Sequence, residues 1–103
     1  MKVVGLMSGT SMDGIDAALV EIDGGGADDS VQWRVLAFRE MPYSDVRRRR
    51  IRDAVEGTAT VEEICRLHRD LGAWLAEATT GICREAGVEP GEVDLVGSHG
   101  HTV

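Results

Sequence analysis

Two apolar runs, residues 2–8 and 15–23, are separated only by the small polar segment Gly9-Thr10-Ser11-Met12-Asp13-Gly14. So short a joint folds the runs back on each other as an antiparallel hairpin. In the second run Ile15, Ala17 and Leu19 fall on one face, and Ala18, Val20 and Ile22 on the other. Apolar residues on both faces predict a strand inside a sheet that is covered on both sides. Gly24-Gly25-Gly26-Ala27-Asp28-Asp29 reads as a turn or flexible loop. Beyond it Val31, Trp33, Val35 and Ala37 alternate with Gln32 and Arg34, the pattern of a strand with one wetter face. The chain therefore opens with a three-stranded antiparallel meander.

Pro42 closes that section, and Ser44-Asp45 offers a helix N-cap with an acidic first turn. Ile51, Ala54 and Val55 predict a short amphipathic helix ending near Gly57. A longer helix is expected to begin after Thr58 and Thr60, with Glu62 and Glu63 in its first turn. It should run to about Ala86, with Gly87 as its cap. Ile64, His68, Leu71, Leu75, Ala78 and Ile82 make one stripe along it, widened by Leu67 and Trp74. Pro90-Gly91 is a turn, and Val93, Leu95 and Val96 begin a strand that leads into Gly97-Ser98-His99-Gly100-His101-Thr102. The order is strand, strand, strand, helix, helix, strand, within one small α/β domain of 103 residues.

A net charge of −7 argues against general affinity for nucleic acid or for an anionic membrane, both of which reward positive surface. No run approaches the roughly 20 apolar residues that span a bilayer. The apolar start is too short for a signal peptide, because Ser8 and Asp13 interrupt it. Cys65 and Cys83, placed on one long helix, lie roughly 27 Å apart and cannot form a disulfide. They read as small buried side chains of a reduced, cytoplasmic protein.

The hairpin joint carries the chemistry. Glycines let the backbone turn tightly and bring N–H groups up to an anion, and Thr10 and Ser11 add hydroxyl donors. Asp13 and Asp16 are candidate Mg²⁺ ligands, since that ion takes oxygen ligands and keeps several waters. No Gly-Lys-Ser/Thr follows, so this is not a Walker loop, and no Gly-x-Gly-x-x-Gly opens a helix. Spacing alone leaves two readings open: a phosphate cradle, or a turn built from the usual turn residues.

The segment Gly5-Leu6-Met7-Ser8-Gly9-Thr10-Ser11-Met12-Asp13-Gly14-Ile15-Asp16-Ala17-Ala18-Leu19-Val20 resembles the amino terminus of anhydro-N-acetylmuramic acid kinases. Asp94-Leu95-Val96-Gly97-Ser98-His99-Gly100-His101-Thr102-Val103 is similar to that family's Gly-Ser-His-Gly-Gln-Thr-Val segment. The resemblance implies a partial ribonuclease-H-like domain of the actin, Hsp70 and hexokinase superfamily, in which nucleotide lies in a cleft between two domains. It implies use of ATP and Mg²⁺ to open 1,6-anhydro-N-acetylmuramic acid with water and phosphorylate its 6-oxygen, in cell-wall recycling. On this resemblance Gly9, Thr10, Ser11, Met12, Asp13, Gly14, Ile15 and Asp16 form the ATP phosphate loop, and metal binding rests on Asp13, Asp16 or a residue outside these 103. Ser98, His99, Gly100, His101 and Thr102 lie on the sugar side of the cleft. A non-catalytic actin-like nucleotide-binding or assembly module is the alternative, since it would use the same hairpin.

Three departures qualify the resemblance. His101 stands where the family usually has Gln, and Met7 where many members of the superfamily place an aspartate. The family's catalytic aspartate and adenosine-binding elements lie beyond residue 103. The 103 residues alone are thus expected to be the amino-terminal part of the first kinase domain and to be inactive, and exposed sheet edges would favour a homodimer. Of the remaining candidates, His68 reads as a core histidine within the helical stripe. His99 and His101 lack the third ligand that zinc needs. Arg47-Arg48-Arg49-Arg50-Ile51-Arg52 radiates around a helix and reads as a solvated face, not a basic patch.

Overall fold

In the computed structural model, which describes residues 1–9, 11–24 and 30–102, side-chain alternation sets the pairing of the first hairpin. β1 (Lys2–Ser8) and β2 (Gly14–Asp23) run antiparallel, with Ser8 opposite Ile15, Leu6 opposite Ala17 and Val4 opposite Leu19. All six of these side chains are buried on one face of the sheet. β3 (Gln32–Pro42) continues the meander along the other edge of β2. The chain then passes through α1 (Asp45–Val55), α2 (Val61–Ala86) and a single 3-10 turn, Pro90–Glu92, before β4 (Leu95–Ser98). That excursion lets β4 lie parallel to β1, giving the sheet order β3-β2-β1-β4. The expected element order holds. Thr10, Val103 and all of the expected Gly24–Asp29 turn except Gly24 lie outside the described residues.

The helices begin and end where the sequence signals place them. Ser44 Oγ accepts the Arg47 N–H at 3.2 Å and caps α1. Thr60 and Glu63 form a reciprocal capping box at the start of α2: the Thr60 hydroxyl accepts the Glu63 N–H, and the Glu63 carboxylate accepts the Thr60 N–H. Gly87, at φ 70°, closes α2 in the left-handed conformation that glycine takes most readily. α2 packs across β1, β2 and β3, and α1 docks against α2. The core between them holds Val4, Leu19, Ile51, Ile82 and Cys83, all fully buried.

Four expectations are corrected. The buried stripe of α2 is centred on Leu67, Trp74, Ala78 and Ile82, and His68 is exposed on its flank. The bulky Trp74 and the neutral Leu67 take the helix face that the histidine was expected to share. Cys65 is exposed, while Cys83 is buried and its thiol pKa raised by that burial. The alternation along β3 breaks at a bulge. Val20 pairs with Val35 but its neighbour Leu19 pairs with Ala37, leaving Leu36 as the extra residue. Ala37 therefore joins the helix side, while Trp33 and Val35 stay exposed on the other. Finally, among the described residues the helices cover only one face of the sheet. Met7, Trp33, Val35 and Phe38 are exposed, whereas Ala18, Val20 and Ile22 are half-buried.

The arginine run is also less free than its pattern suggests. Arg47 and Arg50 lie 4.7 and 5.5 Å from the Trp74 ring centroid. Arg50 also pairs with Asp70 at 2.8 Å and Arg47 with Glu77 at 3.2 Å, so these two pin α1 onto α2. Arg49 and Arg52 do remain exposed, as a solvated helix face requires. No helix among the described residues is long and apolar enough to cross a membrane.

Candidate functional site

The joint between β1 and β2 is shaped by close backbone approach. The Met12 N–H donates to the Gly9 carbonyl at 3.0 Å, and Met12 itself sits at φ 58°, a left-handed conformation unusual for a long side chain. Two residues on, Gly14 passes hard against the end of β3. A Cβ there would stand 2.3 Å from the Met41 carbonyl oxygen and 2.8 Å from the Pro42 Cα. The Asp13 carbonyl accepts the Tyr43 N–H at 2.9 Å, which fastens the hairpin to the chain entering α1.

Beside this hairpin lies an open pocket of about 270 Å³. Gly9, Ser11, Asp13, Gly14 and Asp16 form one wall, and Glu40, Met41, Pro42 and Arg48 the other. The expected Asp13 and Asp16 are thus brought to one cavity. Ser11, Asp13 and Asp16 are all exposed, Met12 and Gly14 are half-buried, and Ile15 points into the core. Thr10, counted in the same loop, lies outside the described residues.

Arg48 was not singled out by the sequence, where it disappears into the arginine run. Its guanidinium is on the pocket wall, 3.9 Å from Asp45, and its Nε is buried without a hydrogen-bond partner among the described residues. A buried N–H of this kind is costly unless something accepts from it. No cluster of three or more His, Cys, Asp or Glu able to hold a metal occurs among the described residues. Asp13 and Asp16, two of the three exposed carboxylates on the pocket, nevertheless fit a cation that keeps much of its water, as Mg²⁺ does.

The second candidate segment comes to the same end of the sheet. β1 and β4 are adjacent and parallel, so the hairpin after Ser8 and the loop after Ser98 both leave the carboxyl ends of their strands. In open α/β sheets that end is where ligands bind. The His99 N–H donates to the Leu6 carbonyl at 3.0 Å and the Gly100 N–H to Ser98 Oγ at 3.1 Å. Gly100, at φ 70°, turns the chain back, and His101 Nδ1 then reaches Ser8 Oγ at 2.9 Å. Ser98, His99 and Thr102 are exposed, and Gly100 and His101 half-buried.

Ser8 is the hub that sequence reading missed. Only 3% exposed, it also contacts the Tyr43 hydroxyl at 2.7 Å. Burial raises the Tyr43 pKa above its ordinary value, against smaller opposing effects of the Ser8 contact and the Arg47 charge, so the phenol keeps its proton. The only sequence signal for Ser8 was a polar residue closing an otherwise apolar strand. Its partners are 35 and 93 residues away, beyond the reach of any local pattern.

The family model described as anhydro-N-acetylmuramic acid kinase matches residues 1–103. A protein named anhydro-N-acetylmuramic acid kinase from Caldanaerobacter subterraneus subsp. tengcongensis is 47% identical over 102 residues, covering 98% of this chain and 25% of that protein. One of the same name from Salinibacter ruber is 45% identical over 102 residues, with 98% and 25% covered. Another from Bacillus cereus strain G9842 is 39% identical over 104 residues, with 100% and 27% covered. The chain spans about a quarter of the length of the curated relatives it matches.

Proposed function

This chain belongs to the anhydro-N-acetylmuramic acid kinase family, and from that premise we propose that it supplies the phosphate-holding wall of an ATP-dependent sugar kinase. Its fold is a partial ribonuclease-H-like domain of the actin, Hsp70 and hexokinase superfamily. In the proposed reaction water opens 1,6-anhydro-N-acetylmuramic acid, and the freed 6-oxygen takes the γ-phosphoryl group of ATP. The products are N-acetylmuramic acid 6-phosphate and ADP, and the reaction serves cell-wall recycling. Residues 1–103 are the amino-terminal part of the first kinase domain. The water-activating aspartate and the adenosine contacts come from the rest of the protein.

The observation that carries this reading is the convergence of two segments, Gly9–Asp16 and Ser98–Thr102, at the carboxyl ends of the neighbouring strands β1 and β4. Each segment has a distinct task. Backbone N–H groups of the hairpin and the Ser11 hydroxyl donate to phosphate oxygens, and the Arg48 guanidinium adds a positive charge on the facing wall. Asp13 and Asp16 hold Mg²⁺, directly or through water, and the ion offsets the charge of the phosphates. The 98–102 loop orients the sugar. Phosphoryl transfer depends mostly on positioning and charge stabilisation, so this half of the cleft prepares a reaction that the other half completes.

Asp13→Asn in the full-length protein is expected to lower kcat/KM for sugar phosphorylation on the order of a hundredfold. Its side chain is exposed, so the melting temperature should hardly move. An unchanged kcat/KM would remove Asp13 from the metal site.

A further inference from the structure

Ser8 Oγ has two partners among the described residues, the Tyr43 hydroxyl at 2.7 Å and His101 Nδ1 at 2.9 Å. Tyr43 is 5% exposed, and its hydroxyl has no other partner there than Ser8. A phenol is protonated near neutral pH, so in this buried position its proton must be donated to Ser8 or be left unpaired. Once Ser8 accepts from Tyr43, its own proton has one acceptor among the described residues, His101 Nδ1, and would stay unpaired if Nδ1–H also donated to Ser8. An Nδ1 that accepts belongs to a neutral imidazole carrying its hydrogen on Nε2. The reverse direction, Nδ1–H to Ser8 to Tyr43, would strand the phenol's proton in a buried site.

We propose that the relay Tyr43 to Ser8 to His101 fixes the His101 imidazole as its Nε2–H tautomer and presents that N–H as a donor to an acceptor oxygen of the bound ligand. His101 is then a specificity-determining residue, and Ser8 and Tyr43 are positioning residues that act through it. The ligand half of this inference rests on the kinase reading above; the tautomer half does not.

The surroundings fit the role. His101 is half-buried, and its Nε2 has no partner among the described residues. The ring is tied to the phosphate hairpin through Ser8, which ends β1, and through Tyr43, whose backbone N–H donates to the Asp13 carbonyl. Trp74, whose ring centroid is 5.8 Å from that of Tyr43, backs the relay from α2. The chemistry also explains how a histidine can replace the glutamine usual at this position. A glutamine amide offers an acceptor oxygen towards Ser8 and a donor N–H outwards. An Nε2–H imidazole offers the same pair in the same sense.

Two sources supply the acceptor oxygen, the sugar hydroxyls and the nucleotide phosphates, and the test separates them. Nitrogen-15 NMR of the imidazoles in the unliganded full-length protein, at a pH where they are neutral, should show His101 with a bare Nδ1 and a protonated Nε2. Tyr43→Phe, which removes only the hydroxyl, should turn this into a mixture of tautomers. A protonated Nδ1 in the wild type, or an unmixed Nε2–H tautomer in Tyr43→Phe, would overturn the relay. In kinetics, His101→Ala should raise KM about tenfold, the worth of one lost hydrogen bond. The rise should fall on the anhydro sugar if a sugar oxygen is the acceptor, or on ATP if a phosphate is. His101→Gln should return it close to the wild-type value. An unchanged KM for both substrates in His101→Ala, or His101→Gln as impaired as His101→Ala, would overturn the donor role. Absence of sugar phosphorylation by the wild type would defeat the kinase reading and the ligand half with it, leaving the NMR result to decide the relay.

Discussion

Gly14→Ala is expected to cost about 1–3 kcal/mol of stability and to abolish tight nucleotide binding together. The new Cβ would meet the Met41 carbonyl oxygen at 2.3 Å and the Pro42 Cα at 2.8 Å, and both are backbone atoms that no rotamer change can move. Relief requires β2 to part from β3 at Gly14–Pro42, the pair that begins their ladder. That displacement carries Asp13 and Asp16 away from Glu40 and Arg48, which share the pocket with them. Gly5→Ala is the matched control, because a Cβ there meets nothing within 4 Å. Thermal unfolding and ATP titration of the two variants make the comparison. Equal behaviour of Gly14→Ala and Gly5→Ala would show that the hairpin does not depend on this approach.

Trp74→Ala should be the most destabilising single truncation on α2, at about 3–5 kcal/mol. Trp74 is 6% exposed and supports three separate contacts: the tilted Tyr43 ring and the guanidiniums of Arg47 and Arg50. Its removal leaves a cavity and unstacks both arginines that bind α1 to α2. Tyr43 also loses its backing, so the variant should loosen the hairpin end even where it still folds. Chemical denaturation measures the first effect, and a loss below about 1 kcal/mol would mean that the α1–α2 seam is held by other groups.

Much of this was legible because it is local. The alternation of Val4, Leu6 and Ser8 against Ile15, Ala17 and Leu19 specifies the hairpin, since a slip of one residue would turn the apolar set outward. Thr60, Glu63 and Gly87 mark both ends of α2 through hydrogen bonds that reach no further than one turn. What escaped was decided by tertiary partners. The Leu36 bulge reverses the facing of Trp33 and Val35, and nothing within β3 announces it. His68 and Leu67 are neighbours in sequence, and only packing chose which of them is buried. Apolar residues on both faces of β2 predicted two covering layers, but the described helices supply one.

The candidate site divides in the same way. Glycine and aspartate spacing marked the hairpin in advance, because a tight turn needs those residue types. Ser8, Tyr43 and Arg48 were silent, since each gains its meaning from atoms many residues away. Ser8 joins three segments of chain through two short hydrogen bonds, and Arg48 acquires a pocket wall only when α1 folds back beside β3.

The most direct test incubates the full-length protein with ATP, Mg²⁺ and 1,6-anhydro-N-acetylmuramic acid in water enriched in oxygen-18, and weighs the product. Sugar kinase chemistry should give N-acetylmuramic acid 6-phosphate, with one heavy oxygen on the sugar and one ADP formed for each sugar consumed. Nucleotide binding that leaves the anhydro sugar intact would contradict that chemistry and point to a non-catalytic, actin-like module.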